Sequence, residues 1–211
     1  VFIDHGQGWQ TIYCHMKQGS VTVKTGQQVK AGTVLGRAGQ SGVAEFPHLH
    51  FGVFFEGHPV DPFTGLDETQ ECGRTGTPLW DENVGIRYEP VSLYATGFKA
   101  GIPDFDAIKI DSTGPETLPA TSEALTFWAG LYGVAQDDLI SIEIRDPQGR
   151  VFARRDITQT RTRARQFYFV GRKVHEKGLI PGTYTGSVKL TRKNGNAPDI
   201  IAETRRSLLV R

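Results

Sequence analysis

The chain has few cysteines, no long hydrophobic run and no excess of charge of one sign. Cys14 and Cys72 are the only cysteines in 211 residues, which excludes the multi-disulfide framework of a small secreted fold. No stretch approaches the ~20 apolar residues of a transmembrane helix, so no transmembrane segment is predicted. The 24 basic and 23 acidic residues give a net charge of +1. This balance argues against a strongly basic surface for nucleic acid or for an anionic membrane.

The two cysteines leave two alternatives open. In an extracytoplasmic protein, Cys14 and Cys72 would form one disulfide that ties the end of the first domain to its sheet. In a cytosolic protein, Cys14 would be a buried thiol. The sequence does not decide between these alternatives.

Glycine-rich turns and short strand patterns predict two all-β domains. A first domain is predicted over 1–65, a linker rich in Gly, Thr and acidic residues over 66–82, and a second domain over 83–211. The strands predicted in the first domain are Val1 to Asp4, Trp9 to Cys14, Ser20 to Lys24, Gln28 to Lys30, Val34 to Ala38 and His48 to Phe55.

The second domain has eight alternating segments separated by turn-rich stretches. This spacing predicts an immunoglobulin-like β-sandwich. The segments are Gly85 to Ala95, Ala107 to Asp111, Ala124 to Tyr132, Leu139 to Arg145, Val151 to Asp156, Arg165 to Val170, Thr183 to Thr191 and Ile200 to Val210.

A pair of histidines two residues apart marks the candidate site. His48 and His50 share one face of a predicted strand and lie roughly 7 Å apart at the backbone, close enough to address one metal ion. A solvated strand face is the alternative interpretation of such a pair. A third histidine, His15, follows the strand Trp9 to Cys14 and is predicted to share a face with Tyr13. The opposite face of the histidine strand is predicted to be core, formed by Leu49, Phe51, Val53 and Phe55.

The first domain resembles the lysostaphin-type (LytM) zinc endopeptidases in the order and spacing of six motifs. A rival resemblance, to lipoyl and biotinyl carrier domains, rests on repeated Val-x-x-Gly spacing and lacks a lysine in the required setting. The LytM-like motifs are Asp4-His5-Gly6 with Gly8-Trp9, Tyr13-Cys14-His15-Met16, Val29-Lys30-Ala31-Gly32 with Leu35-Gly36, Gly39-Gln40-Ser41-Gly42, Pro47-His48-Leu49-His50-Phe51 and Pro59-Val60-Asp61-Pro62.

The resemblance implies a zinc-dependent endopeptidase of the bacterial cell envelope, periplasmic or secreted, that acts on peptidoglycan peptides. In that family the residue matching His50 binds zinc, whereas those matching His15 and His48 flank the metal-bound water. One of these two would take the proton of the water and the other would stabilise the oxyanion; the sequence leaves open which does which.

One element of the family pattern does not occur in the sequence. The other two zinc ligands of the family come from an upstream His-x-x-x-Asp motif, and none is present in these 211 residues. A catalytic zinc needs three protein ligands, so the site is half built as it stands. We expect an absent N-terminal part of the peptidase domain to supply the missing ligands. The alternative is a non-catalytic LytM-type module that binds or regulates other envelope proteins.

Overall fold

The computed structural model consists of two compact units whose regular secondary structure is almost all strand. The units are Val1–Tyr88 and Glu89–Arg211, and the predicted all-β fold class is confirmed. Among the described residues, no helix is long and apolar enough to cross a membrane. The predicted domain limits of 1–65, 66–82 and 83–211 stay a prediction. The structure describes residues 1–44, 47–67, 75–110, 112, 114–174, 178–194 and 197–211.

The first unit is built on a four-stranded antiparallel sheet whose strands follow in chain order. Two pairs of neighbouring strands are joined by two-residue hairpin turns, Gln7-Gly8 and Glu56-Gly57. All four of these residues have positive φ. Such turns match the twist of paired strands and favour glycine at the second position. Strand β1 extends past the predicted strand Val1 to Asp4 and includes His5 and Gly6. The strands are β1 Phe2–Gly6, β2 Trp9–Cys14, β3 His50–Phe55 and β4 His58–Val60.

The described part of the long connection between β2 and β3 holds no ladder, so the three strands predicted within it are wrong. Single contacts replace the ladders: the Thr22 amide donates to the Leu35 carbonyl, and Met16 forms an isolated bridge with Ala38. Most described side chains of this segment are exposed, Val34 among them. Without an apolar face to bury, β-branched residues between glycine turns do not form a sheet.

The predicted core face of the histidine strand is only partly correct. Val53 is buried, but Leu49 and Phe55 are exposed. Leu49 lies before β3 begins, and Phe55 is the last residue of β3 and packs on Trp9 with ring centroids 4.7 Å apart. The sheet therefore buries side chains at its middle and leaves both ends of β3 open.

The second unit consists of two sheets that share one hydrophobic core. The orders are β10-β7-β5 and β6-β12-β11-β8-β9, which fits the predicted β-sandwich. The strands are β5 Ser92–Lys99, β6 Thr117–Leu118, β7 Ala124–Val134, β8 Leu139–Arg145, β9 Val151–Thr158, β10 Arg163–Lys173, β11 Gly182–Asn194 and β12 Ala197–Val210.

The central strand β7 is buried on both faces. Leu125, Phe127 and Leu131 point into the core between the sheets. Trp128 points to the other face, where it stacks on Phe167 with ring centroids 5.9 Å apart and is 1% exposed. Burial on both faces explains why the sequence of β7 is an almost continuous run of apolar residues.

One predicted strand, Ala107 to Asp111, is wrong because its described part, residues 107–110, belongs to the short helix α1, Phe105–Ile110. The Asp104 carboxylate accepts hydrogen bonds from the amides of Asp106 and Ala107 and so caps the first turn. Asp111 lies outside the described residues. A second difference is β5, which begins at Ser92 rather than Gly85.

Asp138 is a fully buried carboxylate among the described residues of the second unit, and its removal should destabilise that unit. Asp138 is fully buried, receives two hydrogen bonds of 2.8 Å from the Arg192 guanidinium, and accepts a third from the Ala135 amide. Asp138→Ala leaves these donors unpaired, and we expect a loss of about 3 kcal/mol in the free energy of unfolding. The matched control Asp156→Ala removes an exposed ion pair with Arg154 and should cost at most about 0.5 kcal/mol.

Urea unfolding followed by Trp128 fluorescence measures this difference. Both variants are made in a chain with phenylalanine at the other two tryptophans, Trp9 and Trp80, so that the signal reports the second unit. Equal stability of the two variants would contradict the structural role assigned to Asp138.

Candidate active site

His50 is the first residue of β3 and its ring is exposed. In the register of β2 with β3, His50 lies directly opposite Cys14, while Tyr13 lies opposite Phe51. Directly opposed residues point to the same face of a sheet. His50 and the half-buried thiol of Cys14 therefore share one face, and Tyr13 and Phe51 share the other, where their rings meet at 5.3 Å.

His48 lies just before β3 and is held by its backbone. It forms an isolated antiparallel bridge with Gly39, and its amide donates to the Gly39 carbonyl at 3.0 Å. The side chain is half buried. The strand predicted from His48 to Phe55 thus begins two residues later, because His48 pairs with the connecting loop and not with β2.

His15 reaches the other two histidines only because the chain turns left-handed there. Strand β2 ends at Cys14, and His15 has a φ of +57°. Continued as a strand, His15 would point to the face of Tyr13, away from His50. The positive φ redirects the side chain, and its ring centroid lies 4.7 Å from that of His48 and 5.6 Å from that of His50. The predicted sharing of a face with Tyr13 is therefore wrong, although the predicted grouping of the three histidines is observed.

A backbone carbonyl fixes which nitrogen of His15 carries a proton. The Nδ1 atom of His15 lies 2.8 Å from the carbonyl oxygen of Ser41. Because a carbonyl oxygen can only accept, Nδ1 must be the donor, and in the neutral ring Nε2 is then left with a free lone pair. His15 is thereby prepared to accept a proton at Nε2.

Other described histidines lie apart from this group. His5 Nε2 is 2.8 Å from the Thr11 hydroxyl oxygen on the sheet, and His58 is an exposed residue of β4. The carboxylate of Asp4 accepts a hydrogen bond from the Gly6 amide. His175 lies outside the described residues, as do Glu45 and Cys72. The two alternatives for the cysteines, a Cys14–Cys72 disulfide or a buried Cys14 thiol, stay open for that reason.

The donors in the described part of the chain do not by themselves fit a zinc ion. No group of three or more His, Cys, Asp or Glu side chains is placed there to hold a metal. His15 turns its Nδ1 to a carbonyl, and Asp4 is engaged within its own strand. A zinc centre that uses His50 requires further ligands from residues that the structure does not describe.

Sequence reasoning assigned no role to the loop that positions the histidines. Gly39 and Ser41 contact His48 and His15 through backbone carbonyls, and a backbone contact leaves no side-chain signature. The one available signal was the pair of glycines in Gly39-Gln40-Ser41-Gly42, because clustered glycines indicate close backbone approach or positive φ.

Comparison with known proteins bears on the first 62 residues. They match the model of Peptidase family M23 over residues 1–62. An uncharacterized metalloprotease of Haemophilus influenzae is 38% identical over 64 residues, which are 30% of this chain and 13% of that protein. The cell division protein DipM of Caulobacter vibrioides is 40% identical over 68 residues, covering 29% of this chain and 11% of DipM.

A third relative is the peptidoglycan DD-endopeptidase ShyA of Vibrio cholerae. It is 38% identical over 61 residues, which are 29% of this chain and 14% of ShyA. The chain thus spans only 11–14% of the length of these three relatives. The family match over residues 1–62 contains His15, His48 and His50. This match to Peptidase family M23 confirms the lysostaphin-type (LytM) resemblance of the first domain.

Proposed function

We propose that this chain is part of a zinc-dependent endopeptidase that hydrolyses peptide bonds of bacterial peptidoglycan in the cell envelope. The observation that carries the proposal is the convergence of His15 with the pair His48 and His50 from two separate stretches of backbone, with ring centroids 4.7 and 5.6 Å from His15. Two relatives named as peptidoglycan DD-endopeptidases support the substrate class and make peptide cross-links the first substrate to assay.

The three histidines receive different roles in this proposal. Peptide hydrolysis requires a group that removes a proton from water and a group that stabilises the negative charge on the former carbonyl oxygen. His15 suits the first task because Ser41 holds its Nδ1 proton and leaves Nε2 as an acceptor. His48, in ring contact with His15, suits the second task as a donor. His50, exposed at the start of β3, is the metal ligand that this chain contributes.

A second candidate function is a LytM-type module that binds or regulates other envelope proteins without catalysis. The observation that favours it is the incomplete donor set among the described residues. The two functions differ in what a longer form of the protein does with zinc. An enzyme needs a complete set of ligands in that form, whereas a binding module does not.

Zinc retention gives the first test. After dialysis against a mild chelator, we expect the 211-residue chain to retain far less than one zinc per molecule, because one imidazole does not hold the ion against water. A longer form that carries a His-x-x-x-Asp motif should retain close to one. Elemental analysis of both proteins measures this. His58→Ala serves as the control, since His58 is exposed on β4 and should leave zinc content unchanged. Stoichiometric zinc in the 211-residue chain would contradict the interpretation that this chain supplies only part of the zinc ligands.

Substitution of each histidine in the longer form gives the second test. His50→Ala should lose both zinc and hydrolysis, because one of three protein ligands is removed. His15→Ala and His48→Ala should keep most of the zinc and lose roughly a hundredfold or more in turnover, the usual size of a general-base or oxyanion contribution. Zinc content and release of peptides from purified peptidoglycan are measured for each variant.

Two results would overturn the assignment. If His48→Ala empties the metal site and His50→Ala does not, the roles within the pair are reversed. If the longer form binds zinc and peptidoglycan but none of the three substitutions affects hydrolysis, the activity does not use this site.

A further inference from the structure

The segment Ala38 to Gly42, here called the bridging loop, contacts both the region of His15 and the backbone of His48. At one end Ala38 forms a bridge with Met16, the residue after His15. Next to it, Gly39 forms a bridge with His48. Further along, the Ser41 carbonyl accepts the hydrogen bond from the ring of His15. One short stretch of backbone therefore fixes the position of one histidine and the ring orientation of the other.

Gly39 allows the bridging loop to lie this close. A Cβ atom at Gly39 would lie 2.4 Å from both the Cα and the amide nitrogen of Lys17. Real Cβ atoms do not approach backbone this closely, so any side chain at this position would push the loop away from the residues after His15. The role of Gly39 is close packing of one backbone on another.

Gly42 has a different role, because the space around it is open. A Cβ atom there would meet only the Nδ1 atom of His15, at 3.9 Å. The requirement is conformational: Gly42 has a φ of +73°, which favours glycine. The carbonyl of Ser41 belongs to the peptide unit between Ser41 and Gly42, so its direction depends on the φ of Gly42 together with the ψ of Ser41. The left-handed backbone at Gly42 thus aims the acceptor at His15.

We propose that Gly42 is a positioning residue that, through the Ser41 carbonyl, holds His15 as the Nδ1–H tautomer with its ring turned to His48 and His50. This inference rests on the proposed function, because the tautomer contributes to catalysis only if the site hydrolyses peptides. The tautomer itself does not depend on activity. A free histidine side chain prefers the proton on Nε2, so a fixed Nδ1–H form requires an acceptor of the kind that Ser41 provides.

A purely structural role for Gly42 predicts a different outcome. The loop is also braced by the Gln40 side chain, which donates to the Ala44 carbonyl at 3.1 Å. If Gly42 served only this turn, a substitution would lower stability and leave the tautomer of His15 unchanged. The test therefore needs a readout on the ring of His15 itself.

Long-range nitrogen–proton NMR on the 211-residue chain in alkaline buffer reports that ring directly. We expect His15 of the unaltered chain to be the Nδ1–H tautomer. Gly42→Asn should keep it, because asparagine adopts positive φ more readily than other L-residues. Gly42→Val should shift His15 to a mixture or to the Nε2–H form, because a β-branched residue rarely adopts that conformation.

Gly26→Val is the matched control for backbone strain. Gly26 has a φ of +81° in a separate turn with open space around it, so valine there imposes a similar strain and should leave His15 unchanged. In the longer, active form we expect Gly42→Val to reduce kcat by roughly tenfold to a hundredfold, the usual cost of a misplaced catalytic group. KM should change little, and Gly42→Asn should restore most of the rate.

The possible outcomes distinguish the positioning role of Gly42 from the proposed enzymatic function. An Nε2–H tautomer in the unaltered chain, or an unchanged Nδ1–H tautomer in Gly42→Val, overturns the role of Gly42. If Gly42→Val does not fold, the tautomers of the unaltered chain and of Gly42→Asn still decide the question. An Nδ1–H tautomer in a longer form that binds peptidoglycan without hydrolysing it supports the positioning and overturns the enzymatic function.

Discussion

A left-handed turn at one residue holds the candidate site together. The register of β2 with β3 pairs Cys14 with His50, so a continued β2 would carry His15 to the opposite side of the sheet. A φ of +57° at His15 reverses this. Positive φ is unfavourable for a residue with a side chain, although histidine tolerates it better than most, and it persists only where the surroundings hold it. Here the Ser41 carbonyl bound to the ring is one such restraint.

The geometry of the site rests on backbone contacts more than on a core. Of the described hydrophobic side chains in the first unit, only Val53 and Val60 are buried, and each contributes about 1.5–3 kcal/mol. The second unit, in contrast, shares one large core between its two sheets. In the first unit the bridges of Ala38 and Gly39 and the Ser41 carbonyl position the histidines. Its glycines are therefore as important to the site as its histidines.

Much of the fold and part of the site could be predicted from the sequence. Alternation located β8 from Leu139 to Arg145 and most strands of the second unit, because their side chains meet a real core. It failed for Ser20 to Lys24, where no core exists, and for Ala107 to Asp111, where the cap at Asp104 started a helix. The three histidines were grouped by resemblance. The predicted direction of the His15 side chain was wrong, because alternation along a strand does not predict a left-handed residue after the strand ends.

The incomplete set of metal ligands and the geometry of the His15 ring separate two properties of the candidate site, metal binding and proton transfer. In the proposed function, proton transfer would depend on His15, whose tautomer is set by a carbonyl within the described residues. Metal binding depends on ligands that these residues do not complete. The two properties therefore rest on different parts of the protein, and a change in the bridging loop should impair turnover while sparing the metal.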